Sequence, residues 1–220
     1  MRPRPAGHRQ SATVAGAVAI ALAAAGVAAA IHWAGAARPP APAPAVAPLD
    51  AGGKTRGRTD APVLIEVYSD FLCSHCADFA VDVEPAIVRE FVEPGVARLV
   101  YRHFPVVAPE STFLAALAEC AADERRFWGF HDAVMRRVAR RALRGLADVE
   151  AAAQEAGLDF GRLRACEPTP AIRARVDADH QAGERRGVQG TPTIFINDRR
   201  IVGNVPIAVI REAVGAAQAR

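Results

Sequence analysis

Two cysteines separated by two residues, Cys73-Ser74-His75-Cys76, are the part of this chain whose residue types and spacing most directly suggest chemistry. Thiols that close can form and open a disulfide, and the reactive species in that exchange is the thiolate. The pair stands where an apolar run, Val63 to Tyr68, gives way through a short polar turn to a helical pattern. Phe79, Ala80, Val83, Ile87 and Phe91 recur on one face of that pattern. A sulfur at the start of a helix meets unpaired backbone N–H groups and the positive end of the macrodipole, both of which ease its ionisation. Half of a zinc site is the competing reading, with His75 as a further ligand, but no second closely spaced Cys/Cys or Cys/His pair follows. A purely structural bridge across so short a loop would restrain the unfolded chain little.

The elements that must position this pair follow in order. The strand through Val63–Tyr68 precedes the helix, and Pro85 should kink that helix by removing an amide donor. Val96–Phe104 reads as a second strand, parallel to the first through a βαβ connection. Residues 109–186 carry helical periodicity broken at Gly145, Gly157 and Pro168–Pro170. Strand character returns at Thr191–Asn197 and Arg200–Val202, and Pro206 opens a last helix. The chain therefore reads as an α/β fold in which a helical block interrupts a small sheet.

Ahead of the fold lie a basic tail (residues 1–10), an uncharged apolar stretch (11–31) and a Pro/Ala-rich linker (32–55). The apolar stretch is long enough to span a bilayer, with the basic flank inside and everything downstream outside. Its length favours an anchor, while the small residues at 28–30 and 34–36 leave a cleaved signal peptide open. Both routes export the chain to where disulfides persist. Net charge is only +3, and the arginines are scattered among carboxylates, which gives no nucleic-acid footprint.

Taken together, DAPVLIEVYSDFLCSHC, YRHFP, FWGFHD, GLDFGRLRAC and GVQGTPTIFIN make the sequence resemble the DsbA-like branch of the thioredoxin superfamily, over roughly residues 57–220. The resemblance implies a thioredoxin fold (56–108 and 187–220) with an inserted helical domain (109–186). It also implies a thiol–disulfide oxidoreductase outside the cytoplasm that needs no metal or organic cofactor. In that family's terms Cys73 is the attacking sulfur, Cys76 the resolving one, and Thr191-Pro192 the cis-proline loop facing them. His75 then sits beside the thiolate, where an imidazole lowers a sulfur's pKa. Exported proteins with free thiols would be the substrates, and a membrane partner of the DsbB or VKOR type would reoxidise the pair. The reverse direction, a reductase or isomerase, remains open. The resemblance also suits a structural bond between Cys120 and Cys166, although sequence alone leaves the connectivity open. One departure stands out: the position where many relatives bury an acid, six residues before the first cysteine, is Val67. Glu66 should face the other way by strand alternation, and Asp70 offers a carboxylate from the turn.

Overall fold

The computed structural model describes residues 53–219. The elements are β1 (Thr55–Arg56), β2 (Val63–Ser69), α1 (Ser74–Asp82), α2 (Glu84–Ile87) and a π-helical turn (Val88–Val92). Then come β3 (Ala97–His103) and five helices: α3 (Pro109–Asp123), α4 (Phe127–Ala139), α5 (Leu146–Glu155), α6 (Phe160–Cys166) and α7 (Pro170–Arg185). β4 (Thr193–Ile196), β5 (Arg199–Val202) and α8 (Ile207–Gln218) complete the chain.

The sheet order is β1-β3-β2-β4-β5. β2 runs parallel to β3 and antiparallel to β4, so it is central and buried on both faces, as its near-continuous apolar run requires. Strand alternation sorts its side chains. Val63, Ile65 and Val67 join Leu99, Ile194 and Ile196 in a core shared with Phe79 of α1 and Ile210 and Val214 of α8. Glu66 and Tyr68 point to the opposite face, where Tyr68 packs with Phe104, Val188 and Phe195. A second, larger core is built mainly from α3–α7, and Phe71, Cys73, Cys76 and Tyr101 belong to it. The cysteine pair therefore sits where the sheet's core meets the helical one. In α7, Gly183 allows close approach: a Cβ there would lie 2.8 Å from the Phe104 ring.

Two expectations are refined. Pro85 does more than kink one helix. α1 stops at Asp82 and Pro85 occupies the first turn of a separate helix, where its missing N–H costs nothing. Lys54 and Thr55, expected in the linker, belong to the folded body: Thr55 pairs with Val100 in the sheet, and the Lys54 carbonyl accepts from the Tyr101 N–H at 3.1 Å. The basic tail, the apolar stretch 11–31 and the linker up to residue 52 lie outside the described residues. Among the described residues no helix is long and apolar enough to cross a membrane.

Candidate active site

Cys73 is the residue that caps α1 at its N-terminus, in extended conformation (φ −79°, ψ 118°) and with no side-chain cap. Its sulfur is therefore held at the end of the helix where N–H groups are unpaired. The turn before it is fixed by Asp70, whose buried carboxylate accepts from the N–H groups of Leu72 (2.8 Å), Val106 (2.7 Å) and Val107 (2.8 Å). Asp70 thus ties the turn to the loop after β3, and its carbonyl receives the Cys73 N–H at 3.1 Å. This clamp fully occupies the carboxylate that the sequence offered as an acid near the pair.

Both cysteines are free thiols. Cys76 is almost wholly buried, at 1% exposure, whereas Cys73 retains 8%. The Cys73 sulfur lies 3.4 Å from the Thr191 carbonyl oxygen, and the Thr191–Pro192 peptide bond is cis. Cys73 is held at a pKa of about 5, against an ordinary 9.0. The largest cause is hydrogen bonding from the Cys76 thiol; Thr191 and the backbone N–H groups of Cys76 and His75 add to it, against the opposing effect of burial. Cys76 moves the other way: burial pushes it up, the adjacent Cys73 pushes it further, and the Ser69 hydroxyl only partly offsets them. One sulfur is thus a thiolate at neutral pH and its neighbour a thiol, the asymmetry that sequential disulfide exchange uses.

The His75 side chain is exposed. Its backbone N–H is a fixed donor at the helix start and one of the groups that hold the Cys73 sulfur below its ordinary pKa.

Glu66 lies on the far face of β2, away from the cysteines. It pairs with Arg102 (3.0 Å) and Arg186 (2.5 Å), and the buried chain continues from Arg102 to Asp179 (3.1 Å), then to Lys54 (2.6 Å) and Glu119 (2.5 Å). His103 also approaches Glu119, at 3.0 Å. His103, Glu119 and Asp179 bring metal-type donors together, but the Lys54 ammonium stands among them and supplies the positive charge. Glu84, His131 and Asp132 form a second such cluster. Neither contains Cys73, Cys76 or His75. In the helical part the Cys120 and Cys166 sulfurs are bonded, 2.06 Å apart.

Sequence reasoning did not single out Ser69 and Tyr101, which face Cys76 from β2 and β3. Alternation places Ser69 on the face of Val63, Ile65 and Val67, but the parallel register that brings β3 beside it is a tertiary fact.

A family model described as Thioredoxin matches residues 50–216. One curated relative, a Na(+)/H(+) antiporter NhaA 3 from Salinispora tropica, is 34% identical over 164 residues, covering 74% of this chain and 24% of the antiporter. The chain thus spans about a quarter of the length of that relative. Disulfide bond formation protein D from Bacillus subtilis is 24% identical over 177 residues, covering 74% of this chain and 76% of that protein. Among solved structures, oxidised BdbD from Bacillus subtilis superposes with a TM-score of 0.69 at 21% identity, over 76% of this chain and 93% of that one.

Proposed function

The chain belongs to the thioredoxin family, and from the geometry of its cysteine pair we propose that it is an extracytoplasmic protein thiol–disulfide oxidoreductase acting as an oxidase. The observation that carries the reading is the opposed pair of sulfurs: Cys73 at the helix end with its pKa at about 5, and Cys76 buried beneath it. A thiolate stabilised in the reduced form makes the corresponding disulfide a stronger oxidant, because reduction then releases the free energy of that stabilisation.

In the forward reaction a substrate thiolate attacks Cys73 of the Cys73–Cys76 disulfide, and the Cys76 sulfur leaves with the bonding electrons. A second substrate thiol, ionised, then attacks the substrate sulfur of the mixed disulfide and releases Cys73 as thiolate. The substrate loses two electrons and the enzyme pair gains them. Cys73 is the attacked sulfur because it is the more accessible of the two. Thr191 and Pro192 border it on the substrate side, and the Thr191 backbone is placed to align an extended chain beside the sulfur. The His75 backbone N–H helps hold the anion.

Substrates of this activity are exported proteins with free thiols. The apolar stretch 11–31 is the export signal or membrane anchor, and a membrane reoxidase of the DsbB or VKOR type would return the pair to the disulfide.

The test is oxidation of reduced, unfolded ribonuclease by the oxidised protein, set beside reduction of scrambled ribonuclease, together with equilibration of Cys73–Cys76 against glutathione. Stoichiometric oxidation is expected. A potential close to that of cytosolic thioredoxin would remove the oxidase assignment in favour of the reductase or isomerase direction.

A further inference from the structure

The exchange just proposed fixes where a substrate sulfur must sit but not which chain supplies it, and the surface beside Cys73 carries chemistry that the exchange does not use. Leu72, the residue before Cys73, forms one wall of a cleft of about 420 Å³. Phe113 of α3, Leu143, and Leu146 and Val149 of α5 supply the others. Cys73 belongs to the same packed cluster as these walls. Leu146 is 47% exposed although large and apolar. Val106 and Val107, half exposed, are tied through their N–H groups to the Asp70 carboxylate that also holds Leu72, and so they extend the apolar surface around it. An extended chain advances about 3.3 Å per residue. A side chain within a few positions of a cysteine joined to Cys73 therefore reaches the cleft beside Leu72.

The rim of the cleft is basic. Arg144 lines it, and Arg140 and Arg141 precede it in the turn that ends α4. All three are exposed, and none has an ion-pair partner among the described residues. Glu155 is taken by Arg136 (2.6 Å) and Arg137 (2.7 Å), and the Asp148 carboxylate by the N–H groups of Arg144 (2.8 Å) and Gly145 (3.1 Å). The helix end does not need the three side chains either, because its carbonyls accept from the Arg141 and Ala142 N–H groups at 2.9 and 2.7 Å. Arg141 holds a left-handed backbone (φ 54°), where glycine is the ordinary residue. A fourth guanidinium, that of Arg164, lies over the Phe113 ring, 5.4 Å from its centroid, and Glu110 supplies the acid in the lining.

We propose that this face selects the substrates of the redox pair: the cleft beside Leu72 takes a large apolar side chain near the substrate cysteine, and Arg140, Arg141 and Arg144 favour acidic residues beyond it. The preferred occupant is an extended, acidic segment of an unfolded exported chain. Burial of an aliphatic side chain holds the segment at the sulfur, and opposite charge steers its encounter and sets its direction along the face. Segments bearing lysine meet like charge and are rejected.

This assignment rests on the oxidoreductase reading, and the test separates the two. The oxidised protein is mixed with synthetic peptides that carry two cysteines, with leucine or alanine beside the first and glutamates or lysines beyond it. Loss of the Cys73–Cys76 disulfide is followed by acid quench, alkylation and mass spectrometry. Each rate is corrected for the peptide thiolate present, because acidic neighbours raise a thiol's pKa, and is divided by the rate with uncharged dithiothreitol. The leucine–glutamate peptide should react about tenfold faster than the leucine–lysine peptide at low salt, and the gap should close at about 0.5 M salt. Leucine should exceed alanine by about fivefold. Arg140→Glu/Arg141→Glu/Arg144→Glu should reverse the charge preference, and Leu146→Ser should lessen the leucine preference while the charge preference persists. Arginines that serve only the helix end would shift the unfolding midpoint and leave both ratios alone. Wild-type ratios near one, or a charge preference that survives the triple substitution, overturn the assignment while the oxidoreductase reading stands. Arginine-dependent sedimentation with phosphatidylglycerol vesicles, in place of any peptide preference, overturns it likewise. A wild type in which neither peptide nor dithiothreitol thiols bond to Cys73 overturns both.

Discussion

Replacing Cys73 by serine should change the pH dependence of folding in the reduced protein, by an amount that follows from the structure. A thiol titrating at about 5 is almost fully ionised at pH 7, whereas at its ordinary 9.0 it is almost fully protonated. The folded reduced chain is then favoured by about a hundredfold, or about 2.7 kcal/mol, over a chain whose thiol is unperturbed. At pH 5 the same reasoning leaves only about 0.4 kcal/mol. Because the folded pKa is depressed, the contribution is complete above the unfolded value and is lost as pH falls through 5. The sulfur is partly open to solvent, so screening should leave roughly half of the difference, about 1 kcal/mol, between pH 5 and pH 7. Urea unfolding of reduced wild type and Cys73→Ser at the two pH values, both under a phosphine reductant, measures it directly. Serine does not titrate in this range, and Cys76, with its pKa raised, stays protonated throughout. Because the disulfide form lacks the thiolate, the stabilisation remaining at pH 7 after the same screening, about 1.4 kcal/mol, raises the reduction potential by roughly 30 mV. A wild-type advantage equal at both pH values would refute the reasoning.

Removing the Cys120–Cys166 bond by the double substitution Cys120→Ala/Cys166→Ala opens a loop between residues 46 apart. It should cost about 4 kcal/mol in denaturant unfolding while leaving Cys73 reactivity unchanged. Lys54→Met leaves Glu119 and Asp179 facing each other without their shared cation, and should cost about 3–5 kcal/mol by the same measurement. Gly183→Ala drives a methyl group into the Phe104 ring and should lower stability by about 1–3 kcal/mol, visible as a lower thermal midpoint.

The parts of the site that are local in sequence are legible there. The C-x-x-C at a strand-to-helix junction and the Thr191-Pro192 pair ahead of an apolar strand carry their own signals, and period-2 alternation correctly sends Glu66 away from the cysteines. Other features depend on distant partners. Lys54 lies in a stretch that reads as linker, yet it closes a buried ion-pair chain with Glu119 and Asp179, 65 and 125 residues away. Glu84 looks like an ordinary helix carboxylate until the break before Pro85 turns it inward, and His131 meets it only because α4 packs on the active-site helix. Asp70 reads as an acid available to the site, but the loop after β3 supplies two of the three N–H groups that occupy it. At His75 the residue type suggests imidazole chemistry, and the structure adds a backbone N–H donor that any residue at that position would supply.

The central claim is that residue 73 carries a stabilised thiolate beside a protonated neighbour, and alkylation tests it most directly. The reduced protein is treated with iodoacetamide across pH 3–10, and the modified cysteine is identified by mass spectrometry. The expected result is modification at Cys73 alone, with a rate that rises through an inflection near pH 5 and then stays level through neutral pH. An inflection near 9, or equal labelling of Cys76, would contradict the account.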